Sequence, residues 1–177
     1  MKIKELTSDI GKVYIDLDGV VAYCDKGIAD FNNIAVEETL AAGFDNKYWK
    51  NVIKNANIKD FYANLEWEPN GKKLLKWFED RDIPITFLTR PTKAPTTKDC
   101  IEGKKIWLKN NNLDSIPVLF EFNKEKYAIS GDKVNILVDD QQKNIDKWNE
   151  AGGIGLLYKN GNFSTIIKEL GKIYENQ

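Results

Sequence analysis

The stretch Lys12–Val21, KVYIDLDGVV, decides how this chain folds. An apolar run that ends in two acids and a glycine reads as a buried strand, Lys12 to Leu17, that stops at a turn. Side chains two apart on a strand point the same way, so Asp16 and Asp18 converge on one spot, and Gly19 lets the backbone bend sharply behind them. Unpaired, two such carboxylates repel. A divalent cation with oxygen ligands relieves that repulsion. The same residues also suit an Asp-x-Asp-Gly turn in which one Asp caps the next segment.

Outward from this strand the chain alternates strand and helix. Pro84–Leu88, Pro117–Phe120, Asn135–Val138 and Gly155–Tyr158 read as four more short apolar strands. Helical patterns separate them: one capped by Asn70 and running to about Asp80, one from Asp99 to about Asn111, then Gln141–Ala151 and Ser164–Tyr174. Apolar strands divided by amphipathic helices predict an α/β fold, a mostly parallel sheet flanked by helices. Residues 20–71 break the rhythm. They hold helical patterns near Lys26–Ile34, Val36–Ala42 and Asn46–Ala56, no convincing strand, and the aromatics Phe31, Phe44, Tyr48, Trp49, Phe61, Tyr62 and Trp67. The reading is a small helical cap inserted after the first strand: residues 1–19 and 72–177 form the core domain, residues 20–71 the cap domain. Ligands in open parallel sheets bind beyond the carboxyl ends of the strands, which places the insert over the site.

Other strand ends carry the remaining chemistry. Asn-Ile-Leu-Val runs into Asp139 and Asp140; if that strand lies beside the first, one of the two faces Asp16. Helix capping would call for one Asp rather than a pair. Thr89 closes the second strand with a hydroxyl at the same edge, and Arg90, one of two arginines, follows it. A cation for a bound phosphate is expected from Lys126, just before the acidic strand, with Lys124 as its nearest rival. Lys104 lies on one helical face with Ile101 and Leu108; its head could reach the sheet edge, or it is an ordinary snorkelling lysine.

Composition narrows the chemistry. The 177 residues are 42% apolar, enough for a core, and include no histidine and two cysteines, Cys24 and Cys100. Imidazole-based hydrolysis, phosphohistidine chemistry and imidazole or four-cysteine metal sites are excluded. With 26 basic and 27 acidic residues there is no charge reason to expect stable nucleic-acid binding. No apolar stretch of the ~20 residues needed to span a bilayer occurs, and the first residues lack a signal-like run. A cytoplasmic protein with no membrane association is expected.

In order, Asp-x-Asp-Gly-Val, apolar-apolar-Thr, Lys, and apolar-apolar-Asp-Asp resemble the four motifs of the haloacid dehalogenase (HAD) superfamily. Receiver domains also use Asp, Thr and Lys, but carry their acidic pair on the first strand. Asp18, where P-type ATPase relatives have Thr, is similar to the phosphatases and mutases. Phe61–Gly71 (FYANLEWEPNG), Lys104–Leu108 (KKIWL) and Asp30-Phe31 further resemble the 5'(3')-deoxyribonucleotidases, over residues 13–140. Two departures stand out: Thr89-Arg90-Pro91 replaces Thr-Ser-Pro, and the stretch from Lys126 to Asp139 is a few residues longer.

The resemblance implies a Rossmann-like HAD core and Mg²⁺-dependent hydrolysis of deoxynucleoside monophosphates through an aspartyl phosphate. Asp16 is then the nucleophile and Asp18 the acid-base. Mg²⁺ is held by Asp16, the backbone carbonyl of Asp18, and Asp139 or Asp140. Thr89 and Lys126 hold the phosphoryl oxygens, and Arg90 and Lys104 are further substrate-binding candidates. Phe31, Phe61 and Tyr62 either stack on a base or form the cap's own core. Related nucleotidases are compatible with a homodimer. Alternatives are another HAD phosphatase acting on sugar phosphates or polynucleotide 3' ends, a phosphate- or metal-binding module without turnover, and a purely structural domain.

Overall fold

The computed structural model describes residues 9–43, 46–159 and 162–175. Residues 1–8, counted above with the core, and Phe44 lie outside the described residues. Strand β1 (Ile10–Ile15) is followed by helices α1 (Cys24–Asn32), α2 (Val36–Ala42), α3 (Lys47–Asn55), α4 (Ile58–Ala63) and α5 (Gly71–Glu79). Then come β2 (Ile85–Thr89), α6 (Thr97–Asn110), β3 (Val118–Phe120), a 3₁₀ turn (Lys124–Tyr127), β4 (Ile129–Ser130), β5 (Lys133–Asp139), α7 (Gln142–Glu150), β6 (Ile154–Leu157) and α8 (Phe163–Glu175).

β1 is central because its apolar run suits burial on both faces. It pairs in parallel with β2 (Val13 opposite Ile85) and with β5 (Val13 opposite Ile136). β3 extends the sheet beyond β2, and β6 runs parallel to β5. The two-residue β4 is the exception, antiparallel to the start of β5 through Ile129 opposite Val134. The period of two assigns the faces. Val13, Ile15, Phe87, Ile136 and Val138 pack with Leu74, Phe78, Trp107, Leu108, Ile166 and Leu170 of α5, α6 and α8. Tyr14, Leu88 and Leu137 pack with Ile145 and Trp148 of α7 on the other side. Trp148 is fully buried and its indole N–H donates to the Asn135 carbonyl at 3.1 Å, so the ring is satisfied as well as packed.

The insert leaves and returns side by side. Tyr23 N–H donates to the Glu66 carbonyl at 2.8 Å and Glu68 N–H to the Val21 carbonyl at 2.9 Å, an antiparallel stem at its root. Asn46 starts α3 by accepting from the Tyr48 and Trp49 amides, a side-chain cap of the expected type. From the stem, α4 lies against α6 at Gly103. A Cβ there would fall 2.4 Å from the Lys59 carbonyl oxygen, so only glycine permits the approach. Ile28, Val52, Ile58, Tyr62 and Leu65 of the insert share one apolar cluster with the residues under β1, β2 and β5. No helix among the described residues is long and apolar enough to cross a membrane.

Candidate active site

The parallel strands β1, β2 and β5 end together, and their last residues supply the polar groups. Asp16 N–H donates to the Val138 carbonyl at 2.9 Å, which locks the end of β1 to the end of β5. Gly19 has φ +73, and a Cβ on it would meet Asp140 Oδ2 at 2.6 Å. The glycine therefore serves both the turn after β1 and the close approach of the second acidic pair. Asp16, Asp139 and Asp140 each present a carboxylate oxygen within 4.8 Å of one another. Among the described residues this is the one group of three or more acids placed to share a cation.

Lys124 lies between two of these acids. Its Nζ is 2.8 Å from Asp16 Oδ2 and 2.6 Å from Asp139 Oδ2, and its side chain is 2% exposed. Burial works against its charge, but Asp16 and Asp139 outweigh it and hold the ammonium above the ordinary lysine range. Asp139 is saturated: beyond Lys124 it accepts from the Gln141 amide at 2.8 Å and from Asn144 Nδ2 at 3.0 Å on both oxygens. Asp140 accepts only from its neighbour Gln141, at 2.6 Å, among the described side chains. Burial pushes the Asp140 carboxyl well up, and the Asp139 charge adds to that.

A second buried lysine faces the insert. Lys104 Nζ donates at 2.8 Å to each of Asp18 Oδ2, Thr89 Oγ1 and the Arg90 carbonyl. It also stands 5.0 Å from the Tyr62 ring centre. Burial opposes its charge, yet Asp18 holds its pKa above the usual value, while burial raises the Asp18 carboxyl against the pull of Lys104. Asp18 Oδ1 has no hydrogen-bond partner. It borders a cavity of about 10 Å³ lined by Leu17, Ala22, Tyr62, Leu65, Lys104 and Trp107, room for about one water.

The sequence-predicted residues divide. Asp16, Asp18, Thr89, Lys104, Asp139 and Asp140 gather at the strand ends. Lys126 is corrected: its side chain is 52% exposed and paired with Glu121 on the surface. The cause is the 3₁₀ turn, at three residues per turn, which sends residues 124 and 126 to different sides. Lys124 turns inward to Asp16 and Asp139 while Lys126 turns outward, a difference that reading a bare motif order misses. Phe61 and Tyr62 lie edge to face at 5.3 Å, and Trp49 adds centroids 6.1 and 6.5 Å away, so these rings pack on each other within the insert. Phe31 is 37% exposed on α1. Arg90 is exposed, its guanidinium carbon 5.7 Å from the Phe122 ring centre. Glu68, not singled out from the sequence, is buried at the insert's root, and burial together with Asp25 pushes its carboxyl up to about 7.

No family model and no curated protein matches the chain. Solved structures do. A dehalogenase superposes with a TM-score of 0.57 at 9% identity, covering 88% of each chain. The fold is that of the haloacid dehalogenase-like hydrolases. One such hydrolase from Burkholderia xenovorans LB400 gives a TM-score of 0.52 at 15% identity, over 89% of this chain and 85% of that one. Another, from Streptococcus pneumoniae, gives 0.50 at 12% identity, over 84% of each. At these identities the likeness concerns the fold. The chemistry rests on the residues at the strand ends.

Proposed function

We propose that the chain is a Mg²⁺-dependent phosphatase of the HAD type, acting on (deoxy)nucleoside monophosphates in the manner of the 5'(3')-deoxyribonucleotidases. The observation that carries this reading is one arrangement: Lys124 between Asp16 and Asp139, with Asp140 adjoining and Thr89 one strand away. A nucleophile, a cation and hard oxygen ligands then meet at one sheet edge. Asp16 attacks phosphorus; the bond to the sugar oxygen breaks as the Asp16–phosphate bond forms. Asp18 gives its proton to the leaving oxygen, then takes one from the water that cleaves the aspartyl phosphate and frees Asp16. Lys124, rather than Lys126, steadies Asp16 against a dianionic substrate and meets the phosphoryl oxygens with Thr89.

The donor set fits Mg²⁺: all oxygens, with the carboxylates of Asp16 and Asp140 in mutual reach. Asp16, the Asp18 carbonyl and Asp140 would hold it, since Asp139 is already filled by its hydrogen-bond donors. Bound there, Mg²⁺ supplies positive charge to the oxygens of the transferred group. Residues 20–71 act as the cap domain over the core domain.

The test is phosphate release from a panel of nucleotides, sugar phosphates and phosphorylated oligonucleotides with Mg²⁺. We expect turnover of nucleoside monophosphates, and a loss of at least about a thousandfold in Asp16→Asn. Activity that survives Asp16→Asn overturns the mechanism. Release from sugar phosphates alone or oligonucleotide ends alone moves the substrate class.

A further inference from the structure

Arg90 is rooted firmly and ends free. Its carbonyl accepts from Lys104 Nζ at 2.8 Å, the same ammonium that holds Asp18 and Thr89, and Pro91 behind it is buried. The start of the side chain is therefore fixed within one lysine head of the acid-base carboxylate. Its far end is exposed and rests over Phe122, 5.7 Å away. Among the described residues no carboxylate pairs with the guanidinium. The nearest acid in sequence on the facing loop, Glu121, is engaged by Lys126 and by the amides of Phe122 and Asn123 at 2.9 and 3.1 Å. The other arginine, Arg81, also lies over a ring, 4.3 Å from the Trp77 centre, but it donates to the Trp77 carbonyl at 3.2 Å.

The neighbourhood repeats the pattern. Phe120 is the register partner of Thr89, and Lys105 Nζ stands 5.8 Å from its ring centre. Two cation-on-aromatic pairs thus lead away from Thr89, along β3 and the loop after it. A guanidinium over a ring keeps its fork of N–H donors free for bidentate contact with a planar or tetrahedral oxyanion. The phosphoryl group itself already has Lys124, Thr89 and the metal ligands. Beyond them Arg90 offers a further cation, able to meet a second anionic group.

We propose that Arg90, set on Phe122, is a specificity residue that recognises a second phosphate on the leaving group. The favoured substrates are then phosphomonoesters that also carry another phosphomonoester or phosphodiester a few bonds away. This rests on the phosphatase chemistry proposed above and narrows its substrates to nucleotides that carry a second phosphate. A small bisphosphate and the end of an oligonucleotide share this chemistry, so both are compared directly.

Four substrates are assayed with wild type and Arg90→Gln: p-nitrophenyl phosphate, a nucleoside 5'-monophosphate, the matching 3',5'-bisphosphate, and a short oligonucleotide with one terminal phosphate. Wild type is expected to prefer the bisphosphate or the oligonucleotide over the monophosphate by about tenfold or more in kcat/KM. In Arg90→Gln that preference collapses, with the change mainly in KM. Loss confined to the oligonucleotide identifies a polymer end; loss confined to the bisphosphate identifies a small ligand. An equal loss on all four substrates, or no wild-type preference, overturns the proposal. Calorimetric binding of the bisphosphate and monophosphate to Asp16→Asn, with and without Arg90→Gln, reads the same preference without turnover. No hydrolysis of any substrate by wild type counts against the phosphatase reading. Equal binding of the two nucleotides counts against the role of Arg90.

Discussion

Lys124 and Lys104 are both 2% exposed and both bonded to carboxylates, yet the walls around them come from different parts of the chain. Lys124 is enclosed by core elements alone: β1 through Asp16, β5 through Asp139, and the 3₁₀ turn that carries it. Lys104 stands at the seam between core and insert, with Tyr62 of α4 on one side and Asp18 and Thr89 on the other. The acids differ as well. The partners of Lys124 are 7% and 0% exposed, whereas the Asp18 side chain is 26% exposed. One lysine answers two buried charges; the other answers one, on a side chain that is only partly buried. The sheet side thus holds the more deeply buried acids, and the seam the less buried one.

Removing each lysine tests that contrast, and the larger effect belongs to the sheet side. Lys124→Met leaves two buried carboxylates without a counter-charge and is expected to cost about 3–5 kcal/mol in urea unfolding. Because Asp16 and Asp140 are also the proposed metal ligands, millimolar Mg²⁺ should raise the Tm of Lys124→Met by more than it raises that of wild type. Lys104→Met leaves one partly buried carboxylate rather than two buried ones, so about 1–3 kcal/mol is expected, with no extra gain from Mg²⁺. Equal losses, or equal recovery by Mg²⁺, would erase the distinction between the two pockets.

A smaller, pH-dependent effect belongs to the seam. Glu68 stands at the root of the insert with its carboxyl raised from 4.5 to about 7 by burial and by Asp25. At low pH the group is protonated in both folded and unfolded chains. As pH climbs from about 4.5 to about 7 the unfolded chain gives up the proton while the folded one keeps it, so this contribution to stability declines across that window and levels off above it. Thermal melts of wild type and Glu68→Gln should therefore diverge, the wild type losing Tm relative to the variant as pH rises from about 4.5 to about 7. A constant difference across that range would remove the titrating role from the seam.

Much of this frame is legible in the sequence, for a specific reason. The acids at strand ends can be read because the period of a strand is short and its apolar run is unmistakable, so Asp16, Asp18 and Asp139 follow from local pattern. β4 is invisible to that reading: two residues, Ile129 and Ser130, turn back through Gly131 at φ +65, too short for any alternation to register. α4 escapes similarly, with six residues after an Asn57 cap. The two lysines are legible only as alternatives, Lys104 as a head that reaches the sheet edge or a snorkelling lysine, and Lys124 as the rival of Lys126. Lys124 meets Asp139 across 15 residues and Lys104 meets Asp18 across 86, and nothing local distinguishes a buried ammonium from the many solvated lysines around it. Only the three-residue period of the turn separates Lys124 from Lys126.

The shared apolar cluster beneath the insert has an engineering consequence. Leu65 and Tyr62 are packed with Trp107 and Leu17, and Gly103 was kept bare to receive the backbone at Lys59. The insert is therefore not a detachable module on a finished base. Grafting a foreign insert between Val21 and Glu68 would leave part of the α6 surface uncovered and a glycine notch unfilled. A chimaera would need its α6 redesigned along with its new roof, which ties any change of substrate range by shuffling to a repacking of the domain underneath.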